Sequence, residues 1–342
     1  MASKTPKIKI TDVAAYADVS VSTVSLVLSN KGRISTATID KVNQAVAALG
    51  YVRNTAAANL RTSHSNLIGL VLTDITDPFY TEITAGISEQ LEQQGYLLFL
   101  AQSNRNPQKL IQCVQSMIQQ GVAGIAFSPV REATATVITM AQQAGIPAVC
   151  LARAAVSNEV DYIGPDNHQA AVIASQYLIE QGHRHIAYIG GSGESLTRTE
   201  RLGGFGCTLI QYGLPFKNEW IVEVDNNQLD AATTVQQLLI QHPKITAILC
   251  HSPTIALGAI YGVKRSGKSV GKDNYIGQQV AIISFDDIAE ATLSQPSLTV
   301  VSSPIREIGQ QAGKRLLAIM NNNDNATQHL ILTPKLICRD SA

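Results

Sequence analysis

Val21, Ser22, Ser25 and Leu26 stand at positions i, i+1, i+4 and i+5 of a short helical pattern and share one uncharged, partly hydroxylated face. Val24, Val27 and Leu28 fall on the opposite stripe, spaced to pack inward. A helix with so slim an outer face can enter the DNA major groove, where hydroxyls and apolar tips meet base edges. Ser20 precedes it as an N-cap, its hydroxyl available to the orphan backbone N–H groups of the first turn. A helix over 11–17, with Val13, Ala14 and Ala17 on one stripe, leads in through the tight turn Asp18-Val19-Ser20. A third helix, over 36–49, closes a miniature core with Val42, Ala45, Val46 and Leu49. Such a module can equally pack against a protein, and charge argues for nucleic acid. Residues 1–65 carry eight Lys/Arg against three Asp, net +5, whereas the rest carries 18 basic and 23 acidic residues, net −5. A basic head on an acidic body suits a polyanionic partner for the head alone.

A second set of chemically able residues lies at the ends of predicted strands. Apolar runs at 67–72, 96–101, 122–127, 147–151, 185–189, 245–250 and 280–285 alternate with amphipathic stretches at 81–94, 110–120, 170–181, 231–241 and 255–265. That alternation specifies parallel sheets built from right-handed crossover units. The strands are too many for one small sheet, and 163–167 separates two similar series, so two doubly wound subdomains facing one another are expected. The chain is expected to cross back at 296–304, with a helix over 305–320 and a last strand over 330–337. Ligands of such sheets bind beyond the carboxyl ends of the strands, here in a cleft between subdomains.

At those ends, Phe79 and Tyr80 of the Asp77–Tyr80 run can stack on a ring or cap the strand's apolar core. Arg201, expected to begin a helix after the loop 190–193, can grip vicinal hydroxyls, a carboxylate or a phosphate, or lie on the surface. Asp286 ends the strand 281–285, and Thr197 and Arg153 lie near neighbouring strand ends. The 190–193 loop lacks GxGxxG spacing, and His183-x-His185 has no Cys or carboxylate at metal spacing. No cofactor, metal site or catalytic group is therefore expected.

The five cysteines form no CxxC pair, and Cys150, Cys207 and Cys250 sit in apolar or small-residue runs that read as buried free thiols. The first residues lack an apolar signal region, and no apolar run is long enough to span a bilayer. A cytoplasmic, nucleoid-associated protein with no membrane partner is expected.

The run 12–25 (DVAAYADVSVSTVS), Arg33-Ile34-Ser35 and Gly50–Asn54 resemble the head of LacI/GalR family transcription regulators. The resemblance continues through Asp77-Pro78-Phe79, Asp166-Asn167, Gly182-His183, Gly204-Phe205 and Phe285–Asp287. It implies an α/β protein with an N-terminal three-helix helix-turn-helix DNA-binding head (1–53) and a hinge helix (54–65). An effector-binding and dimerisation body (66–342) follows, made of two doubly wound parallel-sheet subdomains of periplasmic-binding-protein type. Their expected extents are 66–165 plus 297–324, and 166–296 plus 325–338. By the same resemblance Val21, Ser22 and Leu26 face bases, while Thr23, Ser25, Ser35 and Thr38 hydrogen-bond phosphates. Asn54 would start the hinge helix and Leu60 would wedge into the minor groove; without the resemblance, Leu60 reads as packing on the body. Arg201 and Asp286 match the family's ligand-binding arginine and aspartate.

The implied function is a repressor of carbohydrate-metabolism genes that binds palindromic double-stranded operator DNA as a homodimer and responds to a sugar or sugar derivative. Because the chain ends soon after its last strand, without a leucine-rich tail, a dimer rather than a tetramer is expected. Four departures from the family pattern matter. Asp18 stands where Gly is usual in the tight turn, and Leu26 where many members carry a guanine-reading Arg, so a thymine methyl is expected opposite it. His251-Ser252-Pro253 stands where many sugar binders have Asn-Asp, making Ser252 a further ligand candidate, and no aromatic lies near Asn226. Competing readings are a transporter's solute-binding protein, which the basic head opposes, and an enzyme on the same body fold.

Overall fold

The computed structural model describes residues 8–29, 32–52, 65–151, 160–273, 278–321 and 326–342. They divide into two compact units, one within 1–65 and the other within 66–342.

The first unit holds α1 (Ile10–Ala17), α2 (Val21–Leu28) and α3 (Thr36–Leu49). Asp18 ends α1 in the left-handed conformation (φ 52°, ψ 52°), which an aspartate tolerates better than most residues, so the turn survives without glycine. Ser20 caps α2 by accepting from the Thr23 N–H, and Ser35 caps α3 by accepting from the Thr38 N–H. Val13, Ala14, Ala17, Val24, Val27, Val42 and Ala45 form the whole buried core, with Leu28, Val46 and Leu49 packed against it.

The second unit contains two sheets. Strands β1 (Leu67–Leu72), β2 (Leu97–Gln102), β3 (Gly124–Phe127), β4 (Ala148–Leu151), β5 (Asp161–Pro165) and β12 (His329–Leu332) make a parallel sheet in the order β12-β5-β4-β3-β1-β2. The other contains β6 (Ile186–Ile189), β7 (Ile221–Val222), β8 (Ala247–Cys250), β10 (Gln279–Phe285), β11 (Thr299–Ser302) and β13 (Lys335–Ile337), in the order β13-β11-β10-β8-β6-β7. Short β9 (Ser269–Val270) pairs with β10, and only β13 runs antiparallel. Apolar clusters cover both faces of each sheet, as expected for strands that are continuous hydrophobic runs.

Helices α4 (Pro78–Glu92), α5 (Pro107–Gln119) and α6 (Thr134–Gln143) belong to the first sheet's half, together with α12 (Ile305–Met320), which packs on α4. That contact is close enough that a Cβ on Gly86 would lie 2.2 Å from the Arg306 carbonyl oxygen, so only glycine fits. Helices α7 (Asn167–Glu180), α8 (Leu196–Gln211), α9 (Gln228–Gln241), α10 (Pro253–Arg265) and α11 (Ala289–Leu293) belong to the second half.

The chain crosses between halves three times; the second crossing falls within the expected 296–304 stretch but after Ser302 rather than at 297, and the third comes later than expected. Residues 299–302, assigned to the first subdomain, form β11 in the second sheet, because Ile283–Phe285 of β10 hydrogen-bond Thr299–Val301 in parallel. Residues 329–332, assigned to the second subdomain, form β12 in the first sheet against Tyr162–Pro165. The single last strand over 330–337 is two strands in different sheets, divided at Thr333-Pro334. Cys207 also departs from expectation: Cys150 and Cys250 are buried, but Cys207 is exposed, since α8 buries Gly204, Phe205, Thr208 and Leu209 on its other side.

Candidate functional site

On the head, Val21 and Leu26 remain 37% and 40% exposed, while Val24 and Val27 are buried. Ser22 lies exposed beside them, with Thr23 and Ser25 half-buried. One hydroxyl organises this surface. Ser20 Oγ accepts from the Thr23 N–H at 3.1 Å and lies 2.7 Å from Ser22 Oγ and 2.8 Å from Thr23 Oγ1. Ser35 and Thr38 repeat the arrangement at the start of α3, their hydroxyls 2.9 Å apart. Leu26 lies beside the turn at Gly32 (φ +86°), where an added Cβ would meet its methyl carbons at 3.6 and 3.7 Å. Tyr16, which the sequence reasoning passed over, is 62% exposed on α1. Its signal was available, as a polar-tipped aromatic off the buried stripe of its helix. Asn54 and Leu60 lie outside the described residues, as does Arg153.

In the body, the carboxyl ends of both sheets line a cleft of about 120 Å³. Asp77, Phe79, Tyr80 and Arg105 come from the first half, and Ser195, Thr197, Arg201, His251, Ser252 and Asp286 from the second. Prolines at the first turn pre-set α4 and α10, which start at the cleft behind the N-caps Asp77 and Ser252. Arg201 does not begin its helix. Ser195 caps α8, and Leu196 starts it, leaving Arg201 more than a turn inside and 4% exposed.

There its guanidinium is held by three hydrogen bonds and an aromatic ring. Nε donates to Asn167 Oδ1 at 3.0 Å, Nη1 to the His251 carbonyl at 2.7 Å, and Nη2 to Asp286 Oδ2 at 3.5 Å. The guanidinium carbon lies 4.1 Å from the centroid of the Phe285 ring. Asp286 is 7% exposed and takes a left-handed backbone (φ 65°). Among the described residues its Oδ1 is buried without a hydrogen-bond partner. Burial pushes its carboxyl pKa up, opposed by the Arg201 charge. Burial likewise raises Asp77, opposed by its hydrogen bond from the Phe79 N–H and reinforced by the charge of Asp286.

The two aromatics divide. Tyr80 is buried, its hydroxyl donating to Thr73 Oγ1 at 3.0 Å and meeting Ser128 Oγ at 3.2 Å, so its ring is fixed beneath the cleft. Phe79 is half-buried and packs edge-on to Tyr80 at 5.3 Å. Ser252 Oγ donates to Asn226 Oδ1 at 2.5 Å and accepts from the Ile255 N–H. Sequence reasoning missed Asn167 and His251 as site residues. Asn167 orients Arg201 and also donates to Glu200, and His251 Nδ1 hydrogen-bonds the Tyr188 hydroxyl at 2.7 Å. His183 lies away from the cleft, buried, with Nδ1 3.0 Å from Thr246 Oγ1, and His185 stacks near Trp220. Among the described residues no single helix is long and apolar enough to cross a membrane.

Residues 9–54 match a family model described as bacterial regulatory proteins, lacI family. Residues 65–340 match one described as periplasmic binding proteins and sugar binding domain of LacI family. The chain is 41% identical to the maltose regulon regulatory protein MalI of Escherichia coli (strain K12), across 97% of this chain and 98% of that protein. It superposes on the lac repressor dimer bound to operator and the anti-inducer ONPF with a TM-score of 0.86, at 24% identity, covering 98% of this chain and 99% of that one. A complex of the transcriptional regulator CelR with cellobiose matches with a TM-score of 0.73, at 26% identity, covering 98% of this chain and 100% of that one.

Proposed function

The chain belongs to the LacI family of bacterial regulatory proteins, and from that premise we propose a sugar-responsive repressor that grips a palindromic operator as a homodimer. The observation that carries the reading is the division of labour between a head with an uncharged exposed helix face and a body with a polar cleft at its strand ends. Val21, Ser22 and Leu26 would read base edges, while Thr23, Ser25, Ser35 and Thr38 would position the helix on phosphates. Asn54 and Leu60 would form and anchor the hinge. The two subdomains, with boundaries after Pro165, Ser302 and Leu332, would close on an effector held by Arg201, Asp286, Phe79, Tyr80, Thr197 and Ser252, with Arg153 a further candidate that lies outside the described residues.

Twofold pairing is supported by two apolar surfaces of the body. One is edge strand β2, with Leu97, Phe99 and Leu100 exposed; the other is the α10–α11 groove, with Tyr261 and Leu293 exposed. A second copy would bury both. The relatives named MalI and CelR take part in a maltose regulon and bind cellobiose, respectively, which favours carbohydrate genes as targets. The reading assigns no catalysis and locates the protein in the cytoplasm on the nucleoid.

A mobility shift on the DNA upstream of the protein's own gene tests it. A discrete complex of two chains per palindrome, weakened steeply by salt, is expected. Absence of any complex at low salt would sink the reading.

A further inference from the structure

The charges of the cleft are matched to one another before any ligand arrives. The helices that start at its rim include α4, α8 and α10, and a helix N-terminus is ordinarily a ready anion site. These three are already capped from within, whereas α12, which starts at Ile305 in the lining, has no side-chain cap. Asp77 accepts the Phe79 N–H at 3.0 Å, Ser195 the Arg198 N–H at 3.4 Å, and Ser252 the Ile255 N–H at 3.3 Å. The buried cation is claimed too: of the five N–H groups of Arg201, three go to Asn167, His251 and Asp286. The remaining lining arginine, Arg105, is exposed, and its charge falls on Asp77.

Against these two arginines the described residues of the cleft set three carboxylates, Asp77, Asp225 and Asp286. Asp286 contributes Oδ1, buried and without a donor among the described residues. A buried acceptor in that state favours an incoming O–H and repels an oxyanion. An arriving phosphate or carboxylate would meet acceptors from both halves of the body and find, among the described residues, a buried cation already paired with Asp286. A neutral polyol fits instead. Its hydroxyls can donate to Asp77 and Asp286 and accept from the N–H groups that Arg201 has left.

We propose that the effector is an uncharged polyhydroxylated molecule, an unphosphorylated sugar, and that Asp77 and Asp286, one from each subdomain, exclude phosphorylated sugars and sugar acids. This rests on the cleft being the effector site, as read above. It names what that site rejects.

The test uses the full chain and four kinds of probe at matched ionic strength: chloride, inorganic phosphate, neutral sugars (glucose, maltose, trehalose) and their phosphate esters. Binding is read as thermal stabilisation, which follows mass action. Inorganic phosphate is expected to stabilise the wild type no more than chloride does. Any sugar that binds is expected to do so at least roughly tenfold more tightly than its own ester. Asp77→Asn, a half-buried rim change, and the double change with Asp286→Asn are expected to gain stabilisation by phosphate and to narrow that ratio. Three results would overturn the proposal: phosphate stabilising the wild type beyond chloride, an ester binding more tightly than its parent sugar, or an Asp77→Asn variant with unchanged response to phosphate. Operator binding measured on the same samples keeps the two ideas apart. A protein that shifts operator DNA yet prefers the ester leaves the repressor reading standing and removes only this inference.

Discussion

In the head, the residues offered to a partner, Val21, Ser22 and Leu26, take no part in the core that Val13, Val24, Val42 and Ala45 form beneath them. In the body, Arg201 and Asp286 are at once buried structure and the candidate binding groups, 4% and 7% exposed. A surface reader can change specificity without touching its fold. An interior sensor cannot, because each binding group is also the counter-charge or hydrogen-bond partner of another. The head should therefore tolerate substitution at its functional positions, and the body should lose stability at its own.

The largest break in that contrast is Arg201→Met. It leaves Asp286 buried without its cation, and a broken buried pair costs about 3–5 kcal/mol. Chemical denaturation should show the loss in the body while the head's transition stays put. A loss below about 1 kcal/mol would mean that the pair is exposed enough to behave like a surface salt bridge.

Acid should separate the regions next. Burial, aided by the Arg184 charge, lowers the pKa of His183 from its ordinary 6.5 to about 4, so the folded body keeps this imidazole neutral while the unfolded chain takes up a proton. The stability this provides is complete above pH 6.5 and disappears as pH falls towards 4, on the order of 3 kcal/mol. Residues 1–63 contain no histidine, so the head lacks this step. Hydrogen exchange followed from pH 7 to pH 4 should show the second subdomain loosening first, and His183→Gln should remove the step. Equal loosening of head and body would erase the distinction.

Much of this was legible in residue pattern, and the failures share a cause. The head could be read because its signals are local: Ser20, Ser35 and the valine stripes act within one or two turns. Arg201's position in α8 was misjudged because Ser195, an ordinary N-cap six residues before it, was overlooked. The displaced crossings at β11 and β12 are pairing decisions. Thr299–Ser302 and His329–Leu332 are short strands whose sheet is chosen by distant partners in β10 and β5, and spacing carries no record of that choice. Tyr80 looked like a stacking ring because its hydroxyl's partners, Thr73 and Ser128, lie on two other segments. Asn167 and His251 were invisible as site residues for the same reason. Asn167 falls in a stretch that resembles the family and His251 in one that departs from it, but neither stretch says that the residue lies beside Arg201.

Smaller effects sharpen the head's side of the comparison. Ser20→Ala removes the hydroxyl that caps α2 and holds Ser22 and Thr23, at a cost of about 1 kcal/mol. Head stability and operator affinity should fall together while effector binding by the body is unchanged. Replacing thymine by uracil opposite Leu26 deletes one methyl group, worth about 0.8 kcal/mol if it is buried against the leucine, or roughly fourfold in affinity. No change in affinity would mean that Leu26 does not touch that base.

Binding-site selection from random duplexes with the full chain tests the central claim most directly. A reader built on Val21, Ser22 and Leu26, paired about a twofold axis, predicts a palindrome whose half-sites carry thymine opposite Leu26, with Leu26→Arg shifting that position towards guanine. Selection of no palindrome, or of an invariant guanine opposite Leu26 in the unaltered protein, would contradict it.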